Sequence, residues 1–168
     1  VISPLDVTRA LEAAAMCSHI TAMAWLKTVT NAWATSFRMH ENEKLTCVFG
    51  CDAGDKLEHY LNCHTLWSIL DAAFGGNLSP SPFARVNFEK PTAIQYSLIE
   101  AAFEIYHALK IAQRSLVDEC LSTRRFAPCI SVATILASDC ARRVRSLIRE
   151  RACEPDPSPD SDGSPSFN

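Results

Sequence analysis

Apolar residues recur at intervals of three and four through most of the chain, and polar or proline-rich breaks divide this pattern into helices. Ser3-Pro4 reads as an N-cap followed by proline at the first helical position, opening a helix from Leu5 to about Met16. A second helix is predicted from about His19 to Phe37, with Ile20, Met23, Ala24, Lys27 and Val29 leading to Trp33. Residues 41–56 are polar, with turns at Gly50 and Gly54 and at most a short hairpin near 45–50. A helix from about Leu57 to Phe74 follows, stopped by Gly75-Gly76. Residues 77–91 carry Pro80, Pro82 and Pro91 and read as a loop.

The longest predicted helix covers about 92–121, where Ile94, Leu98, Ala102, Ile105, Leu109, Ala112 and Leu116 form one apolar stripe. Pro128 opens a last helix reaching about Ala152, with a stripe of Cys129, Val132, Ala133, Leu136, Cys140, Val144, Leu147 and Ile148. No further period-2 run and no internal repeat is present. The expected fold is all-α, a helical bundle with a small CCHC zinc-knuckle insert and a disordered acidic C-terminal tail. The chain divides into N-terminal helices (1–40), the knuckle and its following helix (41–75), a two-helix part (76–152) and the tail (153–168).

Composition narrows the class. At 168 residues, 48% of them hydrophobic, the chain is long enough to bury a core. No uncharged apolar run reaches the length of a membrane-spanning helix. No secretory leader is visible either, and Val1 in place of Met reads as a fragment or a processed product. The net charge of −3 hides a segregation: residues 41–71 carry −4, residues 110–151 carry +5 and residues 152–168 carry −4. The last stretch, rich in Pro, Asp and Ser, buries too little apolar surface to fold.

Of the eight cysteines, Cys47, Cys51 and Cys63 cluster. In a chain of this size the pattern points to metal in a reducing, intracellular compartment, nuclear or cytoplasmic, instead of a disulfide scaffold. Cys47-Val-Phe-Gly-Cys51, then His59-Tyr-Leu-Asn-Cys63, supplies three thiolates and an imidazole in C-x3-C-x7-H-x3-C spacing. Zinc takes such donors in a tetrahedron. A turn at Gly50 can bring Cys47 and Cys51 together, and His59 and Cys63 share a face if helical. With four protein ligands the site has no open position, so its role would be structural, folding a segment poor in apolar mass. His64 points about 100° away from Cys63 on a helix and ranks only as a substitute ligand. The alternatives are three ordinary thiols beside a surface histidine, or a redox pair.

Leu57-Glu-His59-Tyr-Leu-Asn-Cys63-His-Thr-Leu-Trp67, preceded by Cys47 and Cys51, resembles the C-terminal zinc-binding region of non-LTR retrotransposon reverse transcriptases. Trp25-Leu-Lys-Thr-Val-Thr-Asn-Ala-Trp33-Ala-Thr-Ser-Phe-Arg38-Met-His resembles the helix leading into that element. The likeness covers about 24–75. Many members of the family have two residues within the first pair and four between His and Cys, where this chain has three and three. The resemblance implies a non-catalytic accessory role beside a polymerase, with RNA or DNA and the rest of a parent polyprotein as partners. It does not imply polymerase activity in this segment, which has no Asp-Asp pair, and an inactive remnant is equally compatible.

Because the cysteine segment is acidic, the candidate nucleic-acid face is the last helix. Arg142, Arg145 and Arg149 line up opposite its apolar stripe, and Arg124 and Arg125 could extend the patch. The alternative is a solvated helix face that the macrodipole favours, with Arg143 paired to Asp139. Trp25, Trp33 and Trp67 are expected in the core, as are Cys129 and Cys140. Tyr60 is placed against Phe49, and His107 on a solvated polar face near Glu104. A helical protein-interaction module with a purely structural zinc site is the competing function.

Overall fold

The computed structural model describes residues 4–76, 78, 81–86 and 92–152. The helices are α1 (Pro4–Ala15), α2 (His19–Val29), α3 (Leu57–Asn62), α4 (His64–Phe74), α5 (Pro82–Arg85), α6 (Ala93–His107), α7 (Arg114–Thr123) and α8 (Ala127–Ala152). A π-helical turn, Ala108–Ala112, joins α6 to α7. Among the described residues there is no strand; a single antiparallel bridge, Thr46–Gly54, stands where a hairpin near 45–50 is expected. The fold is all-α. Ser3, Pro80, Pro91 and the tail read as disordered lie outside the described residues.

Three element boundaries differ from the sequence reading. α2 stops at Val29 instead of Phe37 because Asn31 takes a left-handed conformation (φ 53°). Its N–H bonds Thr28 O at 3.1 Å, and the Ala32 N–H bonds Lys27 O at 2.6 Å, together a Schellman cap. The helix expected over 57–74 breaks at Cys63, although Gly75 ends it as expected, with φ 102°. The helix expected over 92–121 is interrupted by the π turn. Its extra residue shifts the buried face, so Leu109 and Lys110 are both buried, Ala112 is exposed, and Val117 and Cys120 replace Leu116 inside. Ile94, at the start of that stripe, is exposed. Within 77–91, Ser81 caps the short α5, with Pro82 in its first turn.

The main core spans the chain from Trp33 to Cys140. An aromatic group lies at its centre: the Trp33 ring is 6.0 Å from Tyr60 and 5.1 Å from Tyr106. Trp25 and Trp67 are also buried, and each of the three indoles donates to a partner: Trp25 to Val86 O, Trp33 to Thr28 Oγ1 and Trp67 to Tyr60 O. A second cluster joins α1, α2 and α6 through Ala10, Ala14, Trp25, Tyr96 and Ile99.

The stripe of α8 is centred on small residues, Cys129, Ala133, Ala137, Cys140 and Ala141, while Val132 and Leu136 flank it half-buried. Small side chains let α8 approach α4 and α6 closely, which a pattern weighted to large residues does not reveal. Leu147 and Ile148 are exposed. α8, of 26 residues, outruns α4 of 11 and α6 of 15, so its last turns extend past both helices.

Candidate metal centre

Between Leu45 and Asp55 the chain closes a loop. Cys47 N–H donates to Ala53 O at 2.9 Å, and Asp55 N–H donates to Leu45 O at 2.9 Å. Gly50 sits at φ 82°, a conformation open to glycine, and its N–H returns to Cys47 O at 3.0 Å. The Phe49 N–H points at the Cys47 sulfur, 3.4 Å away.

The other two donors come from α3 and its end. His59 lies on α3, but Cys63 is not on the same helix: with φ −63° and ψ 108° it closes α3 and caps α4. Two of the carbonyls at that break are satisfied, Tyr60 O by Trp67 Nε1 at 2.9 Å and Leu61 O by Arg85 at 2.6 Å.

The donor atoms of Cys47, Cys51, His59 and Cys63 all lie within 4.8 Å of one another. Cys63 Sγ is 3.7 Å from Cys51 Sγ and 3.9 Å from Cys47 Sγ. Two thiolates bound at about 2.3 Å to a tetrahedral ion stand about 3.8 Å apart, whereas a disulfide needs about 2.05 Å. His59 Nε2 is buried with no hydrogen-bond partner. A buried imidazole nitrogen with no partner, beside three thiols, is accounted for by a cation at the centre. The four residues can hold a metal ion, and their donor set suits zinc.

The thiols titrate as one group. Cys47 is raised, first by its hydrogen bond with Cys63 and then by burial. Burial and the neighbouring Cys63 raise Cys51. Cys63 is lowered because Cys47 donates to it and the Leu66 N–H points at it, against the effect of burial. One sulfur among three thus carries the negative charge most readily, and it sits at the N-terminus of α4, where the helix dipole favours an anion.

Beside the donors is a buried polar cluster that the sequence reading did not find. Asp55, fully buried, accepts from Ser36 N–H at 2.6 Å, Tyr60 Oη at 2.8 Å, Tyr106 Oη at 3.1 Å and Lys110 Nζ at 3.0 Å. Tyr60 Oη in turn accepts from the Val48 N–H at 3.3 Å. Lys110 also reaches Glu41 at 3.4 Å. Burial first, then Asp55, raises both tyrosines. Lys110 sits between Leu109 and Ile111 in an α-helical pattern, so only the π turn reveals that it faces inward.

His64 is exposed on the groove between α4 and α8 and is not one of the four converging donors. Tyr60 packs edge-on to Phe49, with ring centroids 6.5 Å apart. His107 is half-buried and packs against Phe103 with the ring planes tilted at 48° and centroids 4.1 Å apart, instead of being solvated beside Glu104. Glu104 is occupied across the α6–α8 contact by Arg143 at 2.6 Å and Cys140 Sγ at 3.1 Å.

The basic residues fall in two places, Arg142, Arg145 and Arg149 exposed on the later turns of α8 and Arg124 and Arg125 before its start. Asp139 pairs with Arg142, not with Arg143, and Arg145 donates to Ala73 O at 3.2 Å. Arg149 is exposed. Arg124 and Arg125 are exposed near the other end of α8, roughly 25 Å along its axis from Arg142, so they do not extend that row. They lie instead beside Phe126, whose ring covers Gly50 of the cysteine loop. Arg124 is left-handed (φ 55°) and caps α7.

Compared with known proteins, the chain matches no family model, no curated protein and no solved structure. No helix among the described residues is long and apolar enough to cross a membrane.

Proposed function

We propose that Cys47, Cys51, His59 and Cys63 bind one structural Zn²⁺. The chain is then a non-catalytic accessory segment of a retroelement reverse transcriptase that contacts RNA or DNA. The convergence of four borderline-soft donors around a buried histidine nitrogen without a partner carries the zinc reading. Four protein ligands leave no position for water, which argues for organisation of the fold over chemistry. The link to retroelements rests on the resemblance of residues 24–75. Contact with nucleic acid is supported by Arg124 and Arg125, exposed next to the residue that covers the metal loop, and by the exposed Arg149.

The competing reading is a helical protein-interaction module whose zinc is purely structural. It is favoured by the engagement of Arg142 and Arg145 within the chain. The exposed apolar side chains Val7 and Leu11 on α1 and Ile20 and Met23 on α2 favour it as well.

Metal analysis of the purified chain tests the zinc reading: about one zinc per chain is expected, lost in Cys63→Ser. Titration with single-stranded RNA and duplex DNA at increasing salt tests the rest. Binding that weakens steeply with salt, and is lost in the quintuple Arg124/Arg125/Arg142/Arg145/Arg149→Ala variant, supports nucleic-acid contact. Absence of binding at low salt leaves the interaction module.

A further inference from the structure

The four donors come from three pieces of chain, the loop around Gly50, α3 and the α3–α4 junction, whose apolar side chains Val48, Phe49, Leu57 and Leu66 are buried in the main core; non-directional packing alone does not fix the aim of the donors. One carboxylate touches most of this framework. Asp55 ends the cysteine loop through its own backbone bond to Leu45. It takes the hydroxyl of Tyr60, the residue after His59, and that same hydroxyl holds the N–H of Val48, the residue after Cys47. It also takes the Ser36 N–H and, from α6, the Tyr106 hydroxyl. Counting Lys110, each of its two oxygens takes two donors, Oδ1 the two tyrosine hydroxyls and Oδ2 the Ser36 N–H and the Lys110 ammonium, which fills the acceptor sites of the carboxylate.

A buried anion next to a centre that is itself net negative, three thiolates around one divalent cation, is unfavourable unless neutralised. Lys110 supplies that neutralisation at 3.0 Å, from 55 residues further along the chain. The π turn is what brings it inward, and such turns concentrate at functional positions. An apolar residue would suffice if this position only filled space between α6 and the loop.

We propose that Asp55 and Lys110 are positioning residues of the metal centre: the ion pair, acting through the Tyr60 hydroxyl, sets metal affinity by holding the Cys47 and His59 segments in the geometry the ion requires. This rests on the reading of the four donors as a zinc site. The long-range partner ties the π turn between α6 and α7 to the end of the metal loop.

The test is competition for Zn²⁺ between a chromophoric chelator and the full chain, for wild type and for Lys110→Met, Tyr60→Phe and Val117→Ala. Co²⁺ absorption reports whether the ligand set is intact. Lys110→Met and Tyr60→Phe are expected to keep a tetrahedral Co²⁺ spectrum while Zn²⁺ affinity falls about 10- to 100-fold, the range seen when groups orienting metal ligands are removed. Lys110→Arg is expected to recover most of the loss. Val117→Ala, a buried core change on α7 at a side chain with no hydrogen-bonding group to give the network, lowers stability but is expected to leave affinity within about twofold of wild type.

Should Lys110→Met fail to fold, Tyr60→Phe decides, since it removes only the linking oxygen. Tyr60→Phe at wild-type affinity would overturn the proposal while leaving the zinc site standing. The same holds if Val117→Ala weakens binding as much as Lys110→Met. A wild-type chain that binds no Zn²⁺ overturns both readings together.

Discussion

The backbone of Gly50 lies so close to the ring of Phe126 that a Cβ on it would fall within 2.7 Å of both Cγ and Cε2, and nearer still to Cδ2. Gly50 also sits at φ 82°. Two separate penalties therefore fall on Gly50→Ala. The left-handed backbone costs roughly 1–3 kcal/mol, and overpacking against Phe126 adds about 1–3 kcal/mol. Urea unfolding of the metal-loaded chain should show a lower midpoint for Gly50→Ala. In the Gly50→Ala/Phe126→Leu double variant the packing part is expected to be partly recovered and the backbone part to remain. Full recovery would mean that the left-handed turn is not strained by a side chain.

Element type was legible in the sequence because the 3.6-residue spacing of apolar positions is long and consistent in α1, α6 and α8. Boundaries were less so. The stop of α2 was written in the run Thr28-Val29-Thr30-Asn31, where β-branched residues weaken the helix and Asn takes the left-handed cap. The apolar Trp33 and Phe37 beyond it masked that signal. The four metal donors were legible from type and spacing alone, although they converge by a different route: Cys63 sits at a break, not one turn on from His59 in the same helix. The Asp55–Lys110 pair was not legible. It joins positions far apart in sequence, and the π turn that aims Lys110 inward leaves no mark in an apolar pattern. The Arg143–Glu104 pair is hidden for a related reason, because Glu104 lies on another helix.

Thiol chemistry separates the metal cysteines from the core cysteines. Cys47 and Cys63 are buried and Cys51 is half-buried, as is Cys17, while Cys120, Cys129 and Cys140 are buried elsewhere. Burial pushes Cys129 up to about 12, aided by Cys120, and pushes Cys140 up to about 11, aided by Glu104. Neither presents much thiolate at pH 8, so both should be slow to alkylate. With zinc bound, iodoacetamide at pH 8 is expected to modify Cys17 ahead of all three metal cysteines. After chelation Cys51, the most exposed of the three, and Cys63, whose thiol pKa is lowered, should become reactive well before Cys120, Cys129 and Cys140. The buried Cys47, whose pKa is raised, follows more slowly. Peptide mapping by mass spectrometry reads the order. Equal protection of Cys51 with and without chelator would count against a bound metal.

His107 gives the fold a pH dependence of defined sign. Its ring packs at a tilt against Phe103, centroids 4.1 Å apart, and its Nε2 is buried with no hydrogen-bond partner. Burial lowers its pKa below the ordinary 6.5, and the nearby Lys27 lowers it further. The folded chain therefore binds this proton less readily than the unfolded chain. Well above pH 6.5 the ring is neutral in both states and contributes no pH dependence. As pH falls below that value the unfolded chain takes the proton first, and stability drops until the folded-state pKa is passed. The difference in unfolding free energy between His107→Phe and wild type, measured by urea unfolding, should shift in favour of the variant across that window. Taking the difference cancels the contribution of His59 and the thiols. Lys27→Met should narrow the window by raising the folded-state pKa of His107 towards its ordinary value. A difference that stays flat from pH 7.5 down to 5 would mean that His107 is solvated in the folded chain.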